Sequence, residues 1–135
     1  MKIYVNGNEW VVRSNEVSYF VIYSAASDNE IDADVRIEMD IAPAKVKVRP
    51  LSAGISESCE ENRVCFKTKL DKKLSIEFPD SDHLPIFLFL YTKEKPIQIT
   101  PEVRYYGPGE YTEEMLVLNS GETLYLAEGA VLHAR

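Results

Sequence analysis

Several stretches of this sequence alternate apolar and polar residues with a period of two, and none keeps a helical period for more than a few residues. From Val35 to Ile41 the alternation is strict. Val35, Ile37, Met39 and Ile41 fall on one side, and Arg36, Glu38 and Asp40 on the other. Successive strand side chains point to opposite faces, so this pattern makes a half-buried strand, dry on one face and wet on the other. Val64–Leu70 repeats it with Val64, Phe66, Thr68 and Leu70 inward. Leu74–Phe78 does so with Leu74, Ile76 and Phe78, and Lys45–Arg49 with Val46 and Val48. Such a chain has to build sheets and stack them.

The intervening residues set the hairpins. Asn6-Gly7 is the most favoured pair for a two-residue type I′ turn, and it joins Lys2–Val5 to Glu9–Arg13. In Val17–Ser24 and Ile86–Tyr91 both faces are apolar, which predicts central strands buried on both sides. Pro43 and Pro50 bracket Lys45–Arg49 as they would a strand at a sheet edge. These eight strands recur at intervals near ten residues and predict an antiparallel β-sandwich over residues 1–100. At least half of the residues between Lys2 and Leu132 should then be strand. Hydrophobic residues make up 45% and charged residues 27%, enough apolar surface to offset the entropy of ordering one domain.

Past Pro96 and Pro101 the rhythm shortens. Glu102–Tyr106, Met115–Leu118, Glu122–Leu126 and Ala130–His133 read as strands, separated by Gly107-Pro108-Gly109, Asn119-Ser120-Gly121 and Ala127-Glu128-Gly129. Gly107 and Gly109 can adopt backbone angles closed to other residues, and Pro108 fixes one φ between them. Strands of four or five residues at seven- to eight-residue spacing suggest the rungs of a β-solenoid over residues 101–135. Arg135 comes soon after apolar Ala130-Val131-Leu132, which predicts that these residues are the front part of a longer protein.

The runs Val103-Arg104-Tyr105-Tyr106-Gly107-Pro108-Gly109 and Leu116-Val117-Leu118-Asn119-Ser120-Gly121-Glu122-Thr123-Leu124-Tyr125-Leu126-Ala127-Glu128-Gly129-Ala130-Val131 carry a resemblance. They look like the start of the right-handed parallel β-helix in polygalacturonase-like glycoside hydrolases, the dextranase and isopullulanase group included. The likeness is close over 103–131 and looser upstream, at Val46–Pro50, Val64–Phe66 and Leu84–Phe89. It implies a small N-terminal β-sandwich followed by the first short strands of a right-handed parallel β-helix. The sandwich would be a non-catalytic domain of a polysaccharide-degrading enzyme, capping the helix and shaping the substrate cleft, with the C-terminal β-helix as its partner. The family's catalytic carboxylates and histidine lie on later coils, so no catalytic residue carries over to these 135 residues. Two other readings stay open: an independent carbohydrate-binding module and a ligand-free scaffold domain.

Charge narrows the partners. The net charge is −7, and no run of Lys or Arg offers phosphates a basic surface, so neither nucleic acid nor an anionic membrane surface is an expected partner. The longest apolar run, Leu84–Tyr91, is strand-sized, and the N-terminus lacks a secretory pattern, which predicts a cytoplasmic protein. In that compartment Cys59 and Cys65 should be free thiols, a hairpin disulfide being the alternative.

The polar clusters read as structure. Asp28, Glu30, Asp32 and Asp34 alternate as in a calcium loop but lack its turn glycine and terminal glutamate. Asp80, Asp82 and His83 read as a turn rather than a metal site. No metal or cofactor is expected, and His133 reads as packing. Tyr105, Tyr106 and Tyr111 are the aromatic cluster that could stack on sugar rings, or instead pack the sandwich onto the first coil. Leu124, Leu126, Val131 and Leu132 lie on strands whose last edge is open, which predicts self-association.

Overall fold

The computed structural model describes all 135 residues. Strand makes up 47% of the chain, just under the half expected, and the only helical element is a 3-10 turn at Leu51–Ala53. The chain forms two compact units, Met1–Lys93 and Glu94–Arg135, so the division falls before the boundary expected at residue 100.

The first unit contains β1 (Lys2–Val5), β2 (Asn8–Trp10), β3 (Arg13–Ser14), β4 (Tyr19–Ser24), β5 (Asp32–Glu38), β6 (Lys47–Arg49), β7 (Ser58–Glu60), β8 (Arg63–Lys69), β9 (Lys72–Glu77) and β10 (Ile86–Tyr91). They make two five-stranded sheets, ordered β2-β1-β5-β8-β7 and β3-β4-β10-β9-β6. Ile3, Val5, Val35, Ile37, Val64 and Phe66 of the first sheet and Val21, Leu74, Ile76, Ile86, Leu88 and Leu90 of the second share one buried cluster. Two sheets meeting across one core is the arrangement of a β-sandwich.

The turn after β1 forms as its sequence demands. Asn6 has φ 51° and Gly7 φ 83°, the double left-handed geometry of a type I′ turn, and Val5 pairs with Asn8. The predicted strand Glu9–Arg13 is two strands. β2 pairs with β1 in the first sheet and β3 with β4 in the second, so the chain changes sheet at Val11 and Val12.

Three expectations are corrected. The sandwich is not wholly antiparallel, because β4 and β10 run parallel from Tyr19↔Ile86 to Ser24↔Tyr91. Parallel neighbours need a crossover, and here β5 to β9, three strands of the first sheet and two of the second, intervene in sequence. Secondly, β10 is buried on one face only. Ile86, Leu88 and Leu90 point inward, whereas Phe87 and Tyr91 stay 37% and 38% exposed, and Ile22 of β4 is 51% exposed. Thirdly, Ile41 is exposed because β5 ends at Glu38, after Val35 and Ile37 and just before buried Met39.

Cys59 and Cys65 are free. Cys59 is opposite Val64 and Cys65 opposite Ser58, so the two thiols leave opposite faces of the β7–β8 hairpin and cannot be bridged in this register.

One-sided burial of β10 has a measurable consequence. Leu88→Ala should cost about 2–5 kcal/mol in urea unfolding, since it empties core volume, whereas Phe87→Ser should cost less than about 1 kcal/mol. Equal losses at the two positions would restore the two-sided reading.

Candidate functional site

The second unit builds its site from two short parallel ladders. β11 (Val103–Tyr106) pairs with β13 (Thr123–Leu126), and β12 (Gly109–Thr112) with β14 (Ala130–His133). Val103 aligns with Thr123 and Gly109 with Ala130, offsets of 20 and 21 residues. Backbone bonds from Thr123 to Glu102, Ala127 to Tyr106, Gly109 to Gly129 and Glu113 to His133 extend the ladders past the strand ends. The spacing of seven to eight residues read from the sequence is therefore the distance along the chain between strands. The chain returns to the same line only after 20 or 21 residues. Gly109, at φ 139°, opens β12 after the Pro108 corner, while Gly107 does not use the left-handed region expected for it.

The three tyrosines do not converge. Tyr105 stacks on Tyr125 of the neighbouring ladder strand at 5.6 Å between ring centroids, with the planes 10° apart. Tyr106 points to the opposite face, sets its ring edge-on against Tyr111 at 5.0 Å, and donates to Glu113 from its hydroxyl. Burial, followed by the negative charge of Glu113, raises the Tyr106 phenol above its ordinary value. One ring of each pair thus serves as packing for the other, and Tyr105, Tyr106 and Tyr111 form no common platform.

Glu122 closes the corner ahead of β13. It accepts from the Asn119 backbone and side-chain amides and pairs with Arg104 of the neighbouring strand at 3.3 Å. The bond from the Asn119 side chain is the first cause holding its carboxyl below the ordinary range. His133 lies opposite Thr112 in the β12–β14 ladder and contacts Glu110 at 2.8 Å.

In the first unit, two carboxylates of the acidic loop already have protein partners. Glu30 accepts from the Tyr23 hydroxyl and from Asn6 Nδ2, and Asp32 pairs with Lys69, whereas Asp34 bonds Asn6 through its backbone N–H and carbonyl. The Tyr23 ring meets Trp10 edge-on at 4.7 Å. The Asn6–Tyr23–Glu30 triad was not legible in the sequence, because its members are distant there. Asp80 pairs with Lys45, and His83 sets its ring against Phe78 and Tyr19 while its Nδ1 lies 2.7 Å from the Leu84 carbonyl. No group of three or more His, Cys, Asp and Glu side chains is placed to hold a metal ion.

The outer face of the second sheet was also missed. Phe20 lies beside Phe87, and Ile22 beside Phe89, on the side away from the core. The legible signal was the one-residue offset of these aromatics from buried Ile86, Leu88 and Leu90.

A scan against protein-family models finds no match, and a search of curated proteins finds no relative. No helix is long and apolar enough to cross a membrane.

The triad predicts a pH dependence. The hydrogen bond from Tyr23, then that from Asn6, holds the Glu30 carboxyl below its ordinary value of 4.5. A lowered carboxyl contributes stability at pH values above the unfolded value, and that contribution is lost as the pH falls through the folded one. Urea midpoints measured in steps from neutral pH to well below 4.5 should therefore fall less steeply in Glu30→Gln than in the wild type. Parallel curves would remove the role given to Glu30.

Proposed function

We propose that this chain is the non-catalytic N-terminal part of a polysaccharide-degrading glycoside hydrolase. In this reading the sandwich is a capping domain, and residues 101–135 begin a right-handed parallel β-helix. The observation that carries it is the pair of parallel ladders with offsets of 20 and 21 residues. A hairpin or Greek-key chain pairs such neighbours antiparallel, whereas a solenoid returns to the same line once per coil. Tyr105 on Tyr125 supports it further, since equivalent side chains of successive coils stack along the axis.

The segment Met115–Leu118 fits the same reading. Met115, Val117 and Leu118 are exposed, and the segment forms no strand, although the Leu116 N–H bonds the Arg135 carbonyl. The outer edges of β13 and β14 likewise carry no further strand. A third coil stacked there would satisfy those edges and cover the apolar side chains, each worth about 1.5–3 kcal/mol when fully buried.

Catalysis belongs to carboxylates outside this chain. A glycosidase needs an acid and a base held across the scissile bond, about 5–9.5 Å apart according to mechanism. Glu30, Asp32, Asp80 and Glu122 are each occupied by a tyrosine, lysine, arginine or asparagine partner. The reading in which the tyrosines form a sugar platform is the weaker one, because Tyr105 and Tyr106 each pack against another ring.

Two outcomes follow. The chain should release no reducing sugar from pectin, dextran or pullulan, and release abolished by mutating one of its own carboxylates would overturn the assignment. A version extended by about two coils should melt several degrees higher and associate less in light scattering. A short chain that stays monomeric and melts no lower than the extended one would remove the open-coil reading.

A further inference from the structure

The two outer faces of the sandwich differ in kind. On the first sheet acids stand among the bases: Arg36 pairs with Glu38 and lies over the Tyr4 ring, Lys69 pairs with Asp32, and Arg63 stands opposite Glu38 and Glu60. On the second sheet the centre is apolar, formed by Phe20 and Ile22 of β4 and Phe87, Phe89 and Tyr91 of β10. The adjoining strands bring cations to that face. Arg13 lies opposite Phe20, Lys73 opposite Phe89, and Lys47 and Arg49 opposite Glu77 and Ser75. Its one acid, Glu77, is taken by Arg49 at 2.8 Å. A chain of net charge −7 thus gathers four cations and one carboxylate around an aromatic strip.

We infer that the outer face of the β3-β4-β10-β9-β6 sheet docks a polypeptide segment that is apolar at its centre and acidic at its flanks. Contiguous exposed aromatics rimmed by polar groups mark interaction surfaces, and Phe, Tyr and Arg are the residues enriched in interface cores. Charge selects the occupant. A second copy laid face to face would set cations against cations, whereas an acidic partner meets them with opposite charge. Single-stranded nucleic acid also stacks on aromatics, but its charge is spread evenly along the strand, whereas this face is apolar at its centre and carries its cations on the adjoining strands. The groove where Pro50 and Leu51 stand beside Lys73, Phe87 and Phe89 gives the segment a wall to lie against. This surface belongs to the sandwich alone and does not depend on the capping role.

The test is an amide chemical-shift titration of the isotopically labelled chain with three probes. These are a short synthetic peptide alternating glutamate with leucine and phenylalanine, its counterpart with lysine for glutamate, and single-stranded oligothymidylate. The glutamate peptide should shift the amides of Phe20, Ile22, Lys73, Phe87 and Phe89, and leave the first sheet unmoved. The double variant Arg49→Glu, Lys73→Glu should weaken that binding about tenfold or more while the amide shifts of the first sheet stay those of the folded wild type, and Phe87→Ser should weaken it comparably. The inference is overturned if the glutamate peptide moves no amide of this face, if the lysine peptide binds as well, or if oligothymidylate binds more tightly. It is also overturned if diluting the protein alone produces the same shifts, which would make the occupant a second copy.

Discussion

The inward residues of the two sheets have one core to share, and the order of the first unit follows from that constraint. Ile3, Val5, Val35, Ile37, Val64, Leu74, Ile76, Ile86, Leu88 and Leu90 recur at every second position of their strands and lose essentially all contact with water. A slip of one residue in any strand would put its apolar set into solvent and its charges into the core. Register is therefore fixed by burial, and the turns have only to permit it. Asn6-Gly7 does so locally, and Asn6 also ties the hairpin to the Asp32–Asp34 segment through its side-chain and backbone bonds.

The second unit is held differently. Only Ala127 among its residues is buried as a hydrophobe, so a common core contributes little. Its order comes from strand alignment: parallel backbone bonds, Tyr105 stacked on Tyr125, and Arg104 reaching Glu122 across adjacent strands. Stacking of like on like is worth about 0.5–1.5 kcal/mol for an aromatic pair beyond its burial. The second unit therefore has few buried side chains and depends on its two parallel ladders for order.

Alternation made much of the first unit legible. The inward sets of β5, β8 and β9 were readable because each carries charges or polar groups on its opposite face. The pattern was silent for β4 and β10, where both faces are apolar. Period two cannot tell a face turned to the core from one turned to solvent when Phe87 and Leu88 are equally hydrophobic. The parallel β4–β10 pairing was hidden too, since short-range turn signals report hairpins and not crossovers. In the second unit the strand positions of β11, β13 and β14 were readable, but β12 was masked by the Gly-Pro-Gly run and Met115–Leu118 forms no strand. Of the candidate tyrosines, their position beside the turn was legible. Their partners were not, because Tyr125 is brought to Tyr105 only by the 20-residue offset.

The account turns on how the strands of residues 101–135 pair. The same turn, Ala127-Glu128-Gly129, could close an antiparallel hairpin of β13 on β14, and the two arrangements place different protons together. Cross-strand nuclear Overhauser contacts in the labelled chain separate them directly. The parallel ladders predict contacts between the Tyr105 and Tyr125 rings and between Tyr111 and Leu132, with slow exchange of the Ala127 and Gly109 amides. Contacts running from Leu126 to Ala130 and from Leu124 to Leu132, without any between Tyr105 and Tyr125, would contradict it.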